Sequence, residues 1–196
     1  LELSNRKCIE VLNNYGNFQG DLNNDDEAIN LYDEGLKIDP KDTDLLYNKC
    51  RSLKDLEKYE EAIVCYDKAL EINPKYYEAW NGKGNALRKL EKYEESIVCY
   101  DKALEINPKN AGTLNSKSWT LCKLERYEEA LLLSEISLAI KSTTIEYIHT
   151  KGFILLKLKQ YQDAIKWFDK ALAVDPNHKD SIKDRQLAVD AAKLDK

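Results

Sequence analysis

Residues Leu56–Lys75 read LEKYEEAIVCYDKALEINPK, and residues Leu90–Lys109 read LEKYEESIVCYDKALEINPK. The two stretches differ only at Ala62 and Ser96, and they lie 34 residues apart along the chain. A period of this length is typical of arrays of helix-turn-helix repeats. Such an array has no single compact core, and its repeats present extended surfaces that bind other molecules.

The 34-residue period extends over most of the chain. Prolines recur on it at Pro40, Pro74, Pro108 and Pro176, and Ser142 stands at the remaining place. The sequence therefore predicts five repeats, at residues 9–42, 43–76, 77–110, 111–144 and 145–178. Residues 1–8 precede these repeats, and residues 179–196 follow them.

The sequence of each repeat predicts two helices. In the third repeat Trp80, Gly84 and Leu87 share one face of a helix, because residues spaced i, i+4 and i+7 do so. A second helix follows the short turn at residues 91–93, and Pro108 ends it because proline cannot continue the backbone hydrogen bonds. Small residues at equivalent positions of both helices indicate that the two helices pack closely.

This pattern resembles the tetratricopeptide repeat family. The third repeat carries residues of that family's motif at Trp80, Gly84, Tyr93, Tyr100, Ala103 and Pro108, with Ser96 for the usual alanine. The resemblance extends over about nine-tenths of the chain. It implies an all-α fold, a right-handed α-solenoid superhelix of helix-turn-helix repeats, in a protein that binds other proteins.

The fourth repeat departs most from the pattern. Ser134 replaces the aromatic residue, Ser137 the alanine and Ser142 the proline. We therefore expect looser packing or a changed angle between repeats here, and the pattern defines the length of the second helix less well than in the other repeats.

The two ends of the chain differ from the repeats. We interpret residues 1–8 as an N-terminal extension or the remnant of a preceding repeat, because LELS at 1–4 is similar to LEIN at 70–73. The absence of methionine from the sequence suggests a fragment of a longer protein. Residues 179–196 are expected to form a C-terminal capping helix with a polar outer face, because Gln186 stands where every repeat has a small residue.

The composition argues against several classes of partner. A net charge of −5 disfavours nucleic acid and anionic membranes. No apolar run has the length of a membrane span, and no signal-peptide pattern opens the chain. Five scattered cysteines, an odd number, do not predict a disulfide framework and suggest the reducing cytoplasm.

We expect function on the face of each first helix that packing does not use. The resemblance implies that this face lines a concave groove that binds a peptide. The candidate peptide-binding residues at these positions are Asn13, Asn17, Tyr47, Asn48, Arg51, Asn81, Asn85, Arg88, Asn115, Trp119, His149 and Phe153.

Asparagines dominate this face in the first three repeats. Asparagine has a poor helix propensity because its amide competes for backbone hydrogen bonds, so its frequent use here suggests a function. An amide that donates and accepts can pair with the backbone of an extended peptide of any sequence. The alternative is that asparagine is merely tolerated on an exposed helix.

Aromatic residues mark the same face in the last two repeats. Trp119 and Phe153 occupy one position in successive repeats, with His149 nearby, and exposed aromatic side chains often anchor a partner. Alternatively, these side chains pack inward in the irregular fourth repeat, or they contact another copy of the chain.

Other kinds of site are not predicted. Chaperone-binding members of the family hold a C-terminal carboxylate with a cationic clamp, but here only the asparagines of that clamp remain, at Asn13, Asn17 and Asn48. Residues 21–32 lack the glycine and glutamate of a calcium loop, and the two histidines have no cysteines at metal-ligand spacing. Without a phosphate loop or a nucleophile with its base, we predict no enzymatic activity, no cofactor and no metal.

Two functions remain open at this point. The first is a module that binds a peptide or helix of a partner protein in the groove. The second is a structural, self-associating scaffold within a larger protein. The sequence does not identify the partner.

Overall fold

The computed structural model describes residues 2–195, and this range is built of helices joined by short turns. Its eleven helices are α1 Glu2–Asp21, α2 Asp25–Ile38, α3 Thr43–Asp55, α4 Tyr59–Ile72, α5 Tyr77–Lys89, α6 Tyr93–Ile106, α7 Ala111–Lys123, α8 Tyr127–Ile140, α9 Ile145–Lys157, α10 Tyr161–Val174 and α11 Lys179–Leu194. No strand occurs within residues 2–195. The prediction of an all-α fold is therefore confirmed.

The chain divides into two compact units. The first ends at Ile106 and contains α1–α6, and the second begins at Asn107 and contains α7–α11. Helices α3, α5, α7 and α9 have 13 residues each, whereas α2, α4, α6, α8 and α10 have 14. The regular alternation of the two lengths follows the 34-residue period of the sequence.

The turns inside the helix pairs share one backbone geometry. One residue in each turn has φ of about 60°: Asn23, Glu57, Glu91, Glu125 and Lys159. In the turn between α3 and α4, the backbone N–H of Lys58 donates to the carbonyl oxygen of Leu53 at 2.9 Å, which is the bond of a Schellman C-cap. These bonds hold the turn in a conformation that costs most residues about 1–2 kcal/mol.

Close packing inside a pair depends on a glycine beneath an aromatic ring. Tyr100 of α6 is fully buried, and a Cβ atom on Gly84 of α5 would lie 2.7 Å from its Cε1. Phe168 of α10 lies over Gly152 of α9 in the same way, with a corresponding distance of 2.8 Å. Only a residue without a side chain allows these helices to come together at this distance.

The pair α3/α4 uses a different arrangement. Cys50 stands in the glycine position and forms a disulfide with Cys65, with the two Cα atoms 5.4 Å apart. Tyr66 lies instead over Gly82 of α5, where a Cβ would come 2.5 Å from its Cζ. The sequence interpretation missed this disulfide, because an odd number of cysteines hides a pair that meets only when α4 folds back on α3.

The pair α7/α8, for which we expected irregularity, has ordinary helix lengths. Helix α8 spans Tyr127–Ile140, as many residues as α4 and α6. Ser134 and Ser137 are fully buried, and their hydroxyls donate to the carbonyl oxygens of Leu131 and Ser134, both at 2.8 Å. On α7, Ser118 takes the glycine position and donates to the carbonyl of Ala130 at 2.6 Å. Hydroxyl groups that bond the backbone thus replace the ring and the glycine.

Helices α1 and α11 begin and end the described range. Residues 2–8 belong to the same helix as the first residues of the predicted first repeat. In α11, Gln186 is exposed and its amide donates to Asp190 at 2.9 Å. Among residues 2–195, no helix is long and apolar enough to cross a membrane.

Candidate functional site

In the first unit, α1, α3 and α5 carry the predicted asparagines, Tyr47 and two arginines on one face. Every one of these side chains is half-buried: Asn13, Asn17, Tyr47, Asn48, Arg51, Asn81, Asn85 and Arg88. They are therefore neither core residues nor fully solvated ones. We call this surface the first-unit face.

Two of the asparagines are held by tyrosines of the following helix. The hydroxyl of Tyr32 donates to Oδ1 of Asn17 at 2.9 Å, and the hydroxyl of Tyr100 donates to Oδ1 of Asn85 at 2.9 Å. Burial raises the pKa of Tyr32 to about 12, so its hydroxyl keeps the proton that it donates. The amide oxygens are thereby turned towards the core, and the NH₂ groups are what these side chains offer to a ligand.

Two other asparagines bond to each other. The Nδ2 group of Asn48 on α3 donates to Oδ1 of Asn13 on α1 at 2.8 Å. This contact joins two successive first helices across the face. The donor-and-acceptor pairing with a peptide backbone that the sequence suggested is therefore partly satisfied within the protein itself.

Tyr47 packs between aromatic rings instead of pointing into solvent. Its ring centroid lies 6.2 Å from that of Tyr66 and 5.2 Å from that of Tyr76. Tyr76 donates its hydroxyl to Asp44 at 3.2 Å. Burial raises the pKa of Tyr47, of Tyr66 and of Tyr76, and for Tyr76 the Asp44 carboxylate raises it further. These phenols remain neutral, so Tyr47 supports the shape of the face more than its charge.

A pocket of about 370 Å³ opens at one end of the first-unit face. It is lined by Lys54, Asp55, Glu57, Tyr59, Asn85, Arg88 and Lys89. Lys54 is paired with Asp55 at 2.9 Å, whereas Arg88 makes no ion pair within residues 2–195. The Nε atom of Arg88 is buried and has no hydrogen-bond partner among the described residues. A buried guanidinium N–H without an acceptor indicates a place for an oxygen atom of a ligand or a water.

In the second unit, α7 and α9 bring the predicted aromatic residues together. The ring centroids of Trp119 and Phe153 lie 4.8 Å apart, which is contact distance for an aromatic pair. Both side chains are partly exposed to solvent. We call Trp119, Phe153 and the two lysines beside them, Lys123 and Lys157, the second-unit face.

Two lysines surround this aromatic pair. The ammonium nitrogen of Lys123 lies 5.2 Å from the Trp119 ring centroid and 6.0 Å from that of Phe153. The ammonium nitrogen of Lys157 lies 5.3 Å from the Phe153 centroid. Both lysines are exposed. The face therefore combines an apolar ring surface with two cations, each at cation–π distance from a ring.

His149 does not lie on the exposed surface where the sequence placed it. Its side chain is buried, and Nε2 lies 3.0 Å from Oδ2 of Asp184 on α11, which is also buried. Its ring packs 5.6 Å from Phe168 and 5.4 Å from His178. The expected solvent exposure of His149 is therefore wrong, because α11 covers this position and supplies a carboxylate to it. His149 supports Trp119 and Phe153 from below, at centroid distances of 6.4 and 6.3 Å.

Asn115, the remaining predicted residue, lies half-buried on α7. Its Oδ1 atom is buried and has no hydrogen-bond partner among the described residues. As with Arg88, an unsatisfied polar atom marks a position at which a ligand group or a water completes the hydrogen bonding.

Sequence reasoning missed Lys157, Asp184 and the pocket around Arg88. Lys157 could have been found, because it stands one period after Lys123 and two after Lys89. Asp184 and the pocket depend on contacts between separate helices, which the periodicity of one helix does not encode. No group of three or more potential metal ligands occurs within residues 2–195.

Comparison with known proteins identifies the type of repeat. Models described as tetratricopeptide repeat match residues 9–42, 43–76, 77–110, 99–131 and 145–178. No curated protein sequence matched the chain.

Many solved structures share the fold. A structure of MamA 41-end from Desulfovibrio magneticus RS-1 has a TM-score of 0.76 at 19% identity, covering 88% of this chain and 97% of that one. TTC0263, a thermophilic TPR protein in Thermus thermophilus, has a TM-score of 0.75 at 19% identity, covering 92% and 98%. YrrB, described as a TPR protein with an unusual peptide-binding site, has a TM-score of 0.70 at 20% identity, covering 89% and 90%. At these identities the likeness concerns the fold alone.

Proposed function

This chain belongs to the tetratricopeptide repeat family, and from that premise we propose that it is a non-catalytic module that binds a segment of a partner protein on the faces of its first helices. Proteins of this architecture present extended surfaces between repeats, and such surfaces recognise peptides or helices. YrrB, similar in fold, is described as having a peptide-binding site. The chemistry of the partner segment is inferred from the side chains of this chain.

The observation that carries the proposal is the second-unit face. The partly exposed rings of Trp119 and Phe153 form an apolar surface on which a partner's aliphatic or aromatic side chain can pack. Lys123 and Lys157 stand over the edges of that surface. A partner segment that fits has an apolar anchor with acidic residues beside it, because like charges at these positions would be repelled.

The pocket of the first unit supports the same chemistry at a separate place. Arg88 has a buried Nε without an acceptor, and Asn85 has its Oδ1 occupied by Tyr100. The groups that these two side chains leave for a ligand are therefore donors. A carboxylate oxygen would satisfy the guanidinium N–H, and charge-assisted hydrogen bonds of this kind are about twice as strong as neutral ones.

A synthetic peptide with one leucine flanked by aspartates tests the proposal, beside its counterpart in which lysines replace the aspartates. In isothermal titration calorimetry we expect the acidic peptide to bind with Kd on the order of micromolar, equivalent to about −8 kcal/mol. The lysine peptide should not bind measurably. Phe153→Ala should weaken binding at least about tenfold, a loss of about 1.4 kcal/mol.

Matched variants separate the two contributions. Leu132→Ala removes a large apolar side chain from an exposed position on α8, 59% accessible, and should leave the peptide affinity unchanged. Lys123→Gln with Lys157→Gln should abolish the preference for the acidic peptide while keeping the apolar contact. Equal affinity for both peptides, or full affinity in Phe153→Ala, would exclude the second-unit face as the binding site.

A further inference from the structure

Helix α1 and Leu22, the residue just after its end, carry a stripe of exposed apolar side chains. Val11, Tyr15, Phe18 and Leu22 are 66%, 48%, 55% and 53% exposed, and exposed Cys8 continues the stripe towards the N-terminus. Their spacing is 3, 4, 3 and 4 residues, the heptad spacing with which one helix forms a seam along another. The rings of Tyr15 and Phe18 are stacked on each other at 6.3 Å. We call these five residues the α1 seam.

In α3 and α5 the corresponding face packs against the preceding helix pair. We call it the stacking face. Leu45 of α3 is equivalent to Val11, is fully buried, and packs in one cluster with Ala28 and Tyr32 of α2. Ser52 of α3, equivalent to Phe18, is also buried. A face of this kind is therefore suited to being covered by a helix.

The α1 seam has Tyr15 where the stacking face has a cation, and this difference affects which helix can cover the seam. The position of Tyr15 is held by Lys49 in α3 and Lys83 in α5, which pair with Asp33 of α2 and Asp67 of α4. In the second unit Lys151 and Arg185 make the equivalent pairs with Glu135 and Asp169. At these four places a stacked helix thus recognises the preceding second helix through a cation and an acid. Tyr15 cannot make this pair, so the seam is not matched to a preceding helix of the same type.

We propose that the α1 seam is a self-association surface, and that its occupant is the α1 seam of a second copy of this chain. The seam is apolar along its length and is thus complementary to itself, as an interface between identical patches requires. A two-fold axis between Tyr15 and Phe18 sets Val11 opposite Leu22 of the second copy and Tyr15 opposite Phe18. The dimer buries four large apolar side chains from each copy, each of which is about half to two-thirds exposed without the second copy.

Sedimentation equilibrium of the full chain between about 5 and 200 µM tests this proposal. We expect the weight-average mass to rise from the monomer value towards twice that value, with Kd on the order of 10 µM. Val11→Glu with Phe18→Glu should keep the chain monomeric across this range, with unchanged helix content in circular dichroism, because both side chains are exposed in the monomer. Val64→Glu with Val98→Glu is the matched control: these valines are 57% and 58% exposed on α4 and α6, and the variant should still dimerise.

A milder variant distinguishes loss of the dimer from a folding defect. Tyr15→Lys introduces the residue that the stacked helices already have at this position, and it should weaken the dimer at least about tenfold. A wild-type mass that stays at the monomer value throughout overturns the proposal and leaves the seam to a helix of another protein. A dimer that survives both seam variants, or is lost only in the Val64/Val98 control, overturns it as well. Peptide binding by the second-unit face is measured separately and is unaffected by any of these outcomes.

Discussion

Substituting alanine for two different glycines of the first unit should change stability in opposite directions. At Gly84 a Cβ would lie 2.7 Å from Cε1 and 2.9 Å from Cδ1 of Tyr100, whereas carbon atoms in contact are about 3.5–4.0 Å apart. Tyr100 is fully buried and its hydroxyl is bonded to Asn85 at 2.9 Å, so the ring cannot move away without losing that bond. At Gly20 the nearest atoms would be 3.9 Å away, and nothing has to move.

The expected magnitudes follow from these distances. Overpacking of this kind costs about 1–3 kcal/mol, and alanine in a helix interior gains about 1 kcal/mol over glycine. Because a contact of 2.7 Å lies far inside the normal carbon–carbon distance, we expect an overpacking cost in the upper part of that range, about 2–3 kcal/mol. After the helix gain, Gly84→Ala should lower the free energy of unfolding by about 1–2 kcal/mol. Gly20 lies in the last turn of α1, where the propensity gain is smaller, so Gly20→Ala should raise it by less than about 1 kcal/mol.

Urea unfolding followed by circular dichroism at 222 nm measures both changes. Since repeat arrays can unfold in more than one step, the comparison requires equal slopes in both variants and wild type. A Gly84→Ala protein as stable as wild type would refute the reasoning, because it would show that the α5/α6 pair is not packed as tightly as described. The same variant should also disturb Asn85 and weaken any ligand that uses its NH₂ group.

Two further predictions concern the cysteines. Unfolded protein should present three thiols to a maleimide reagent before reduction and five after it. Reducing the Cys50–Cys65 bond should lower the free energy of unfolding by about 3 kcal/mol, as expected for a loop of 15 residues. Five thiols without reduction would show that the bond does not form. Burial raises the pKa of Cys99 and of Cys122 to about 11 from a usual value of 9.0. Because the thiols of the unfolded chain ionise first, their contribution to the free energy of unfolding is fully present below pH 9. It should be lost as the pH rises towards 11, by about 1.4 kcal/mol per pH unit for each thiol. In urea unfolding at pH 8 and pH 10.5, Cys99→Ala should lose less stability between the two pH values than wild type, and an equal loss would contradict this assignment.

The helix pairs could be predicted from the sequence because their determinants are local. Gly84 and Tyr100 recur with the repeat period, and the period alone places them on the facing sides of two helices. The aromatic pair of Trp119 and Phe153 could be predicted for the same reason, since both occupy one position of successive repeats.

What could not be predicted depends on contacts across helices. The face of His149 follows from its spacing, but its burial follows from Asp184, which lies 35 residues later on α11. The spacing also places Asn17 and Asn85 on an outer face, but it does not show that tyrosine hydroxyls take up their amide oxygens. The disulfide was hidden for a similar reason: Cys65 has an equivalent in Cys99, whereas Cys50 has none in Gly84.

The position of Tyr66 limits how this gene can change its length. The nearly identical stretches 56–75 and 90–109 favour unequal recombination, which would delete one 34-residue unit and leave the reading frame intact. After such a deletion Ser116 would follow Tyr66 at the place where Gly82 now leaves room for the ring. Tyr100 is already followed by Ser116, but its ring lies over Gly84, whereas Tyr66 has Cys50 at that place and uses the room over Gly82. A shortened array would keep Cys50 and lose Gly82, so it would have a steric conflict at its new junction. Copies that look interchangeable in sequence are thus each adapted to their neighbours.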